Sequence, residues 1–252
     1  MADAERLSAE DEPYHREPIT YEAPYLDNLP TAPREKFAAN SAAIQKLKEI
    51  EQRVANGGSP AFEDEQRILA QYTGWGGLSD AFDPNKSAWS NEYSQLKAAL
   101  SESEYEAARS STLTAFYTPA TVIHPIYRAL ERFGVKGGKI LEPSMGTGAF
   151  LAHGHFGSSD AKFYGVELDS ITGRISKQLY QKANIQVTGY ENALLPDNYF
   201  DCAIGNVPFG NFQVNDPQYN RLHFPIHDYF FAKSIDKLRT CLLYTSDAAD
   251  DK

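Results

Sequence analysis

Apolar residues recur at helical spacing through the first half of the chain and fall into short runs in the second. From Arg34 to Ala55, Ile44, Leu47, Ile50 and Val54 return every three or four positions, and Gly57-Gly58 supplies a stop. Ser59-Pro60 opens a second expected helix that runs through Tyr72. It gives way to Thr73-Gly74-Trp75-Gly76-Gly77-Leu78, whose glycines let backbone pack close against an anchoring indole. Ser101-x-x-Glu104 is a capping box and predicts a helix from about Glu102 to Ser110. Thr118 is the expected cap of another, with Pro119 at its first position and Gly134 at its end. Val122, Ile123, Ile126, Tyr127 and Leu130 form its apolar stripe.

From Lys139 onward the period changes. Lys139-Ile140-Leu141, Phe163–Val166, Ile185–Val187 and Cys202-Ala203-Ile204 are short apolar runs of strand type. Helical patterns separate them: one from about Ala149, and one carrying Ile171, Ile175 and Leu179. Another follows from about His227 to Leu238, with Ile226, Tyr229, Phe230 and Leu238 apolar. Strands alternating with helices call for a parallel α/β sheet with right-handed crossovers. In such a sheet ligands bind beyond the carboxyl ends of the strands. Here those ends are Glu142-Pro143-Ser144-Met145-Gly146-Thr147-Gly148, Glu167, and Gly205-Asn206-Val207-Pro208-Phe209.

Each strand end suggests a chemistry. Gly146 and Gly148 remove Cβ atoms where backbone must approach a ligand, although Leu151 stands where a full dinucleotide fingerprint has its third glycine. Glu167, about 20 residues on, suits the two hydroxyls of a ribose. The Asn206 amide oxygen and the next carbonyl, that of Val207, can both accept hydrogens from an exocyclic amine. Pro208 stiffens the loop and Phe209 offers a flat face to a base.

With Phe116-Tyr117-Thr118-Pro119 upstream of the glycine loop, the motif order resembles that of adenine-N6 DNA methyltransferases. Those enzymes carry Asn-Pro-Pro-Tyr/Phe at the catalytic loop; this chain has Val207 in place of the first proline. The resemblance implies a Rossmann-like α/β fold and S-adenosyl-L-methionine as cofactor. Phe116, Tyr117, Thr118, Glu142, Pro143, Ser144, Gly146, Gly148, Glu167 and Glu191 would bind that cofactor. Asn206, Val207, Pro208 and Phe209 would act on a flipped adenine, with no metal. The region around Trp75 is similar to one preceding the methylase core in large methyltransferase–helicase proteins of bacterial mobile elements. On that resemblance a helicase region continues the full-length protein, and DNA is the partner. Two rivals stay open: a protein glutamine methyltransferase with a similar motif, and a binding module without catalysis that serves a fused helicase.

Composition changes this picture at the edges. The net charge of −10 is uneven, because residues 1–30 hold eight carboxylates against two arginines. The central part is close to neutral, so charge gives no support to nucleic-acid binding and the site must carry that claim. Residues 1–33, acidic and with five prolines, are expected to be a disordered or loosely attached arm. Residues 34–112 form a helical segment and 113–240 a partial methyltransferase domain. Residues 241–252 resemble a non-native tail, and on that reading the fourth strand is an unpaired edge. Two cysteines imply neither a disulfide framework nor a metal cluster, and nothing in the chain points to an oligomer. His153 and His155 flank a glycine and are expected as solvated turn residues. Without a membrane span or signal peptide, a cytoplasmic protein is the default.

Overall fold

A computed structural model describes residues 17–21, 29–112, 118–154, 161–239 and 244–246. Four helices come first: α1 (Pro33–Ala55), α2 (Glu63–Leu69), α3 (Ser90–Ala99) and α4 (Glu102–Ser111). Then α5 (Ala120–Arg132) leads into β1 (Gly138–Glu142), α6 (Ala149–Ala152), β2 (Ala161–Glu167), α7 (Ser170–Leu179) and β3 (Asn184–Val187). The chain returns as β4 (Cys202–Gly205), α8 (Ile226–Lys237) and β5 (Tyr244–Ser246). The strands form one parallel sheet in the order β3-β2-β1-β4-β5. This is the Rossmann-like α/β architecture that the alternating pattern and the resemblance imply. Strand order reverses between β1 and β4, where Leu141 pairs with Ala203. A parallel sheet opens its ligand crevice at that switch point.

The N-terminal helices share a core with one face of the sheet. Leu47, Ile50, Leu69 and Trp75 belong to the same buried cluster as Met145, Ile171, Ile175, Leu179 and Tyr180. Trp75 is 1 % exposed, and the rings of Phe82, Phe37 and Tyr72 lie 5.3, 6.3 and 6.4 Å from it. The indole is therefore a core anchor, as its glycine neighbours suggest. Arg174 on α7 ties the layers electrostatically, reaching Glu51 of α1 at 2.9 Å and Glu104 of α4 at 2.7 Å.

Several local expectations are corrected. The second helix starts at Glu63, not Ser59, and ends at Leu69. The backbone before it is committed elsewhere: Ala61 N–H donates to Gln178 Oε1 at 3.0 Å, and Glu65 Oε2 accepts from Phe62 N–H at 2.9 Å. Helix α3 was not legible in the pattern, since Leu96 is its one buried residue. Val54 leaves the α1 stripe and is exposed, while Ile44, Leu47 and Ile50 are buried. Pro119 rather than Thr118 is the N-cap of α5, and Thr118 Oγ1 is buried with no partner among the described residues.

Part of the expected loose arm is fixed. Thr20 forms an antiparallel bridge with Tyr180, Tyr21 N–H donates to Leu179 O at 2.7 Å, and Gln181 N–H donates to Ile19 O at 3.1 Å. Burial of Tyr21 accompanies this pairing, so backbone hydrogen bonds and an apolar ring together hold the segment. At the other end, Tyr244–Ser246 pairs in parallel with Ala203–Gly205, so β4 is an inner strand and not the edge expected.

Candidate active site

The glycine loop is held from three sides. Met145 N–H donates to Val166 O at 3.0 Å, Gly148 N–H to Met145 O at 2.8 Å, and Ser176 Oγ to Gly146 O at 3.0 Å. Met145 is buried over Gly165, where an added Cβ would stand 2.2 Å from its Sδ. Gly148 has φ +80, and a Cβ there would lie 2.3 Å from the Tyr180 ring, so glycine is required both for conformation and for space.

Two carboxyls line the crevice at adjacent strand ends. Glu142 is 2 % exposed; burial first, and then the charge of Glu167, raise its pKa well above the ordinary carboxylate range. Its Oε2 has no partner among the described residues, and neither has the buried Tyr180 hydroxyl. Glu167 is better satisfied: Oε2 accepts from Gly146 N–H and Oε1 from Asp169 N–H, each at 2.7 Å. Burial still pushes it up to about 7, against the pull of those N–H groups. Glu191 stands in the 3₁₀ turn Tyr190–Asn192, where Oε1 accepts from Asn192 Nδ2 at 2.9 Å.

The Asn206 loop is wired to the glycine loop, since Ser144 Oγ donates to Asn206 O at 2.7 Å. The Asn206 amide itself, half-buried, makes no hydrogen bond to any described residue. Val207 is 2 % exposed and packs with Val166, Tyr190, Ile226 and Tyr229. Its side chain thus anchors the loop in the core, a role the motif alone did not disclose. Phe209 is 43 % exposed and its ring stacks on His227, centroids 5.8 Å apart and planes 24° apart.

Glu142, Pro143, Ser144, Gly146, Gly148, Glu167 and Asn206–Phe209 therefore stand on or after the ends of β1, β2 and β4, while Thr118 is buried just before α5. Phe116, Tyr117 and His155 lie outside the described residues. His153 is not a solvated turn residue: it is buried, with Nδ1 3.2 Å from His124 Nε2, because the end of α6 turns inward against α5. Sequence reading missed Tyr180, Ser176 and Leu168. Leu168 is 75 % exposed immediately after Glu167, and an apolar residue just past an acidic strand end was the available signal. Among the described residues no cluster of three His, Cys, Asp or Glu is placed to hold a metal ion, and no helix is long and apolar enough to cross a membrane.

An open parallel sheet with its glycine loop, acidic strand end and polar loop gathered at the switch point defines a Rossmann-like ligand-binding domain. No protein family's profile matches the chain. It is similar to Defense against restriction protein B of Escherichia phage P1, 27% identical over 230 residues, which cover 89% of this chain and 8% of that protein. It is also similar to modification methylase CviBIII of Paramecium bursaria Chlorella virus NC1A. There the identity is 33% over 95 residues, 37% of this chain and 25% of that enzyme. The chain thus spans a quarter or less of the curated relatives it matches. Solved structures with a partial likeness include an S-adenosylmethionine-dependent methyltransferase from Mesorhizobium loti. It is 19% identical, with 48% of this chain and 50% of that one covered, at TM-score 0.35. A SAM-dependent O-methyltransferase from Thermotoga maritima is 15% identical, with 52% and 44% covered, at TM-score 0.38.

Proposed function

We propose that the intact protein transfers a methyl group from S-adenosyl-L-methionine to the N6 amine of adenine in DNA. The observation that carries this reading is the Ser144–Asn206 hydrogen bond, which sets an unengaged amide directly beside the glycine loop. Similarity to a modification methylase supports a nucleic-acid substrate. Similarity to the much longer phage protein supports a larger polypeptide, in which a helicase region is the continuation we expect.

The residues present fit the cofactor. Glu142 Oε2, the Tyr180 hydroxyl and Thr118 Oγ1 are buried polar atoms awaiting partners, as the amino-acid end of such a ligand would provide. Glu167 keeps unused lone pairs for the ribose hydroxyls, Leu168 gives an apolar wall, and Glu191 accepts from the adenine amine. Phe116 and Tyr117 are assigned to cofactor binding on the resemblance of their motif alone. When bound, the cofactor supplies an electrophilic methyl on sulfonium. Asn206 Oδ1 and the Val207 carbonyl accept from the target amine and stabilise positive charge as it develops on nitrogen. Pro208 limits the loop's freedom, and Phe209 stacks on the extruded base.

The test is incubation with methyl-labelled cofactor and duplex DNA, followed by nucleoside digestion. Label in N6-methyldeoxyadenosine is expected. Cofactor binding without label in DNA overturns catalysis, and label on protein glutamine moves the activity to the rival substrate.

Glu167 gives a second, quantitative test. Glu167→Ala should weaken S-adenosylmethionine binding by roughly 1.5–3 kcal/mol, the worth of hydrogen bonds to a charged group. A carboxyl titrating near 7 adds a pH signature. Its ionised form is the better acceptor, so cofactor affinity should rise as pH passes through about 7, and Glu167→Gln should flatten the rise. The raised value also favours the unliganded fold below the ordinary carboxylate pKa, a contribution lost as pH rises through about 7. Calorimetry from pH 6 to 8 showing level affinity in the parent would remove Glu167 from the ribose site.

A further inference from the structure

We infer that His227 is a positioning residue for the target base, covering one face of Phe209 so that the opposite face alone is open for stacking. The inference rests on the reading of Phe209 as the stacking platform.

A 43 % exposed phenylalanine beside an open crevice has rotamers to lose, and a base that stacks on it must bear that ordering cost. Here the ring is ordered beforehand. The imidazole of His227 lies 5.8 Å away at 24°, inside the range of offset aromatic stacking. Both rings hang from the same buried cluster: Val207 anchors the loop two residues before Phe209, and Ile226 anchors α8 one residue before His227. A backbone bond closes the arrangement, Ile226 N–H donating to Phe212 O at 3.0 Å. The pair is therefore held from both sides by packing and by backbone, and does not depend on the two side chains alone.

The chemistry of the ring fits the position. Nε2 faces Asp228 Oδ1 at 3.6 Å on the solvent side, while Nδ1 is buried with no partner among the described residues. A flat ring with one wet edge can back an aromatic face at the mouth of a crevice; an aliphatic chain of similar volume presents no such plane.

The probe is a duplex with 2-aminopurine at an unpaired target position, with cofactor present, and the readouts are its fluorescence and its affinity. In the parent, stacking on Phe209 should quench the extrahelical base. His227→Ala should weaken binding of this duplex roughly two- to tenfold and restore fluorescence, with cofactor affinity unchanged. His227→Phe should recover both signals and His227→Leu should not. A quenching parent matched by His227→Ala, or full recovery by His227→Leu, overturns the inference and leaves the proposed function standing. A parent that never quenches, while still binding cofactor, overturns the platform role of Phe209 and this inference with it.

Discussion

Replacing Asn206 with alanine is expected to lower single-turnover methyl transfer by about 10²–10³, the usual loss when one preorganised transition-state acceptor or donor is removed. Cofactor affinity should be unchanged. The structure explains why such a clean separation is expected. The Asn206 side chain holds nothing in place, because its amide has no partner among the described residues. Its backbone is fixed independently by Ser144 Oγ on one side and by the burial of Val207 on the other. Truncation at Cβ therefore removes the acceptor and leaves the loop standing. Phe209→Ala should act on a different step, weakening capture of the flipped base by about 1–3 kcal/mol. Rates for Asn206→Ala equal to the parent would show that this loop is not catalytic.

Lys233→Met is expected to give the largest stability loss, about 3–5 kcal/mol, because it strands a buried carboxylate. Lys233 and Asp216 are both buried and 2.9 Å apart. Around them Tyr229 hydroxyl donates to Asp216 Oδ2 at 2.8 Å, Gln218 N–H to Asp216 Oδ1 at 3.1 Å, and Lys233 Nζ to Glu191 O at 3.3 Å. Burial alone would raise the Asp216 pKa. The ammonium, the hydroxyl and the N–H outweigh it, and the carboxyl ends below its ordinary value. Its contribution is therefore present above the ordinary pKa and is lost as pH falls through the lowered one. The network joins the loop after Phe209 to α8 and to the turn bearing Glu191. Lys233→Met should therefore loosen both the Phe209 side and the Glu191 side of the proposed site. Urea unfolding measures the loss at neutral pH. The double variant Lys233→Met/Asp216→Asn should recover much of it, since no bare charge remains. A single-variant loss under about 1 kcal/mol would show that water already satisfies Asp216.

Glu142 and Glu167 owe their placement to local sequence and their electrostatics to the fold. Their position at strand ends is written in the sequence, because a strand is a local apolar run and its end is the next polar residue. So were the α1 and α7 stripes, the Ser101–Glu104 capping box and the glycine stop after α5, all of which depend on residues within a few positions of one another. That both carboxyls are pushed upward depends on how deeply β1 and β2 are covered, which no window of sequence contains.

The failures share that cause. Thr118 looks like a cap, but the backbone enters α5 with Pro119 in the extended cap position, and the hydroxyl is left buried. Residues 59–61 look helical, but Gln178 and Gln181 on the far side of the core claim the backbone of Ala61. His153 looks solvated until α5 supplies His124. The sequence by itself determined the alternation of strands and helices from β1 to α8, the parallel α/β class and the chemistry available at each strand end, because these follow from period and residue type. Tertiary structure alone decided that Ser144 holds Asn206, 62 positions away, that Val207 anchors the loop in the core, and that His227 stacks on Phe209. Such contacts join segments brought together by sheet order and burial, and neither quantity is local.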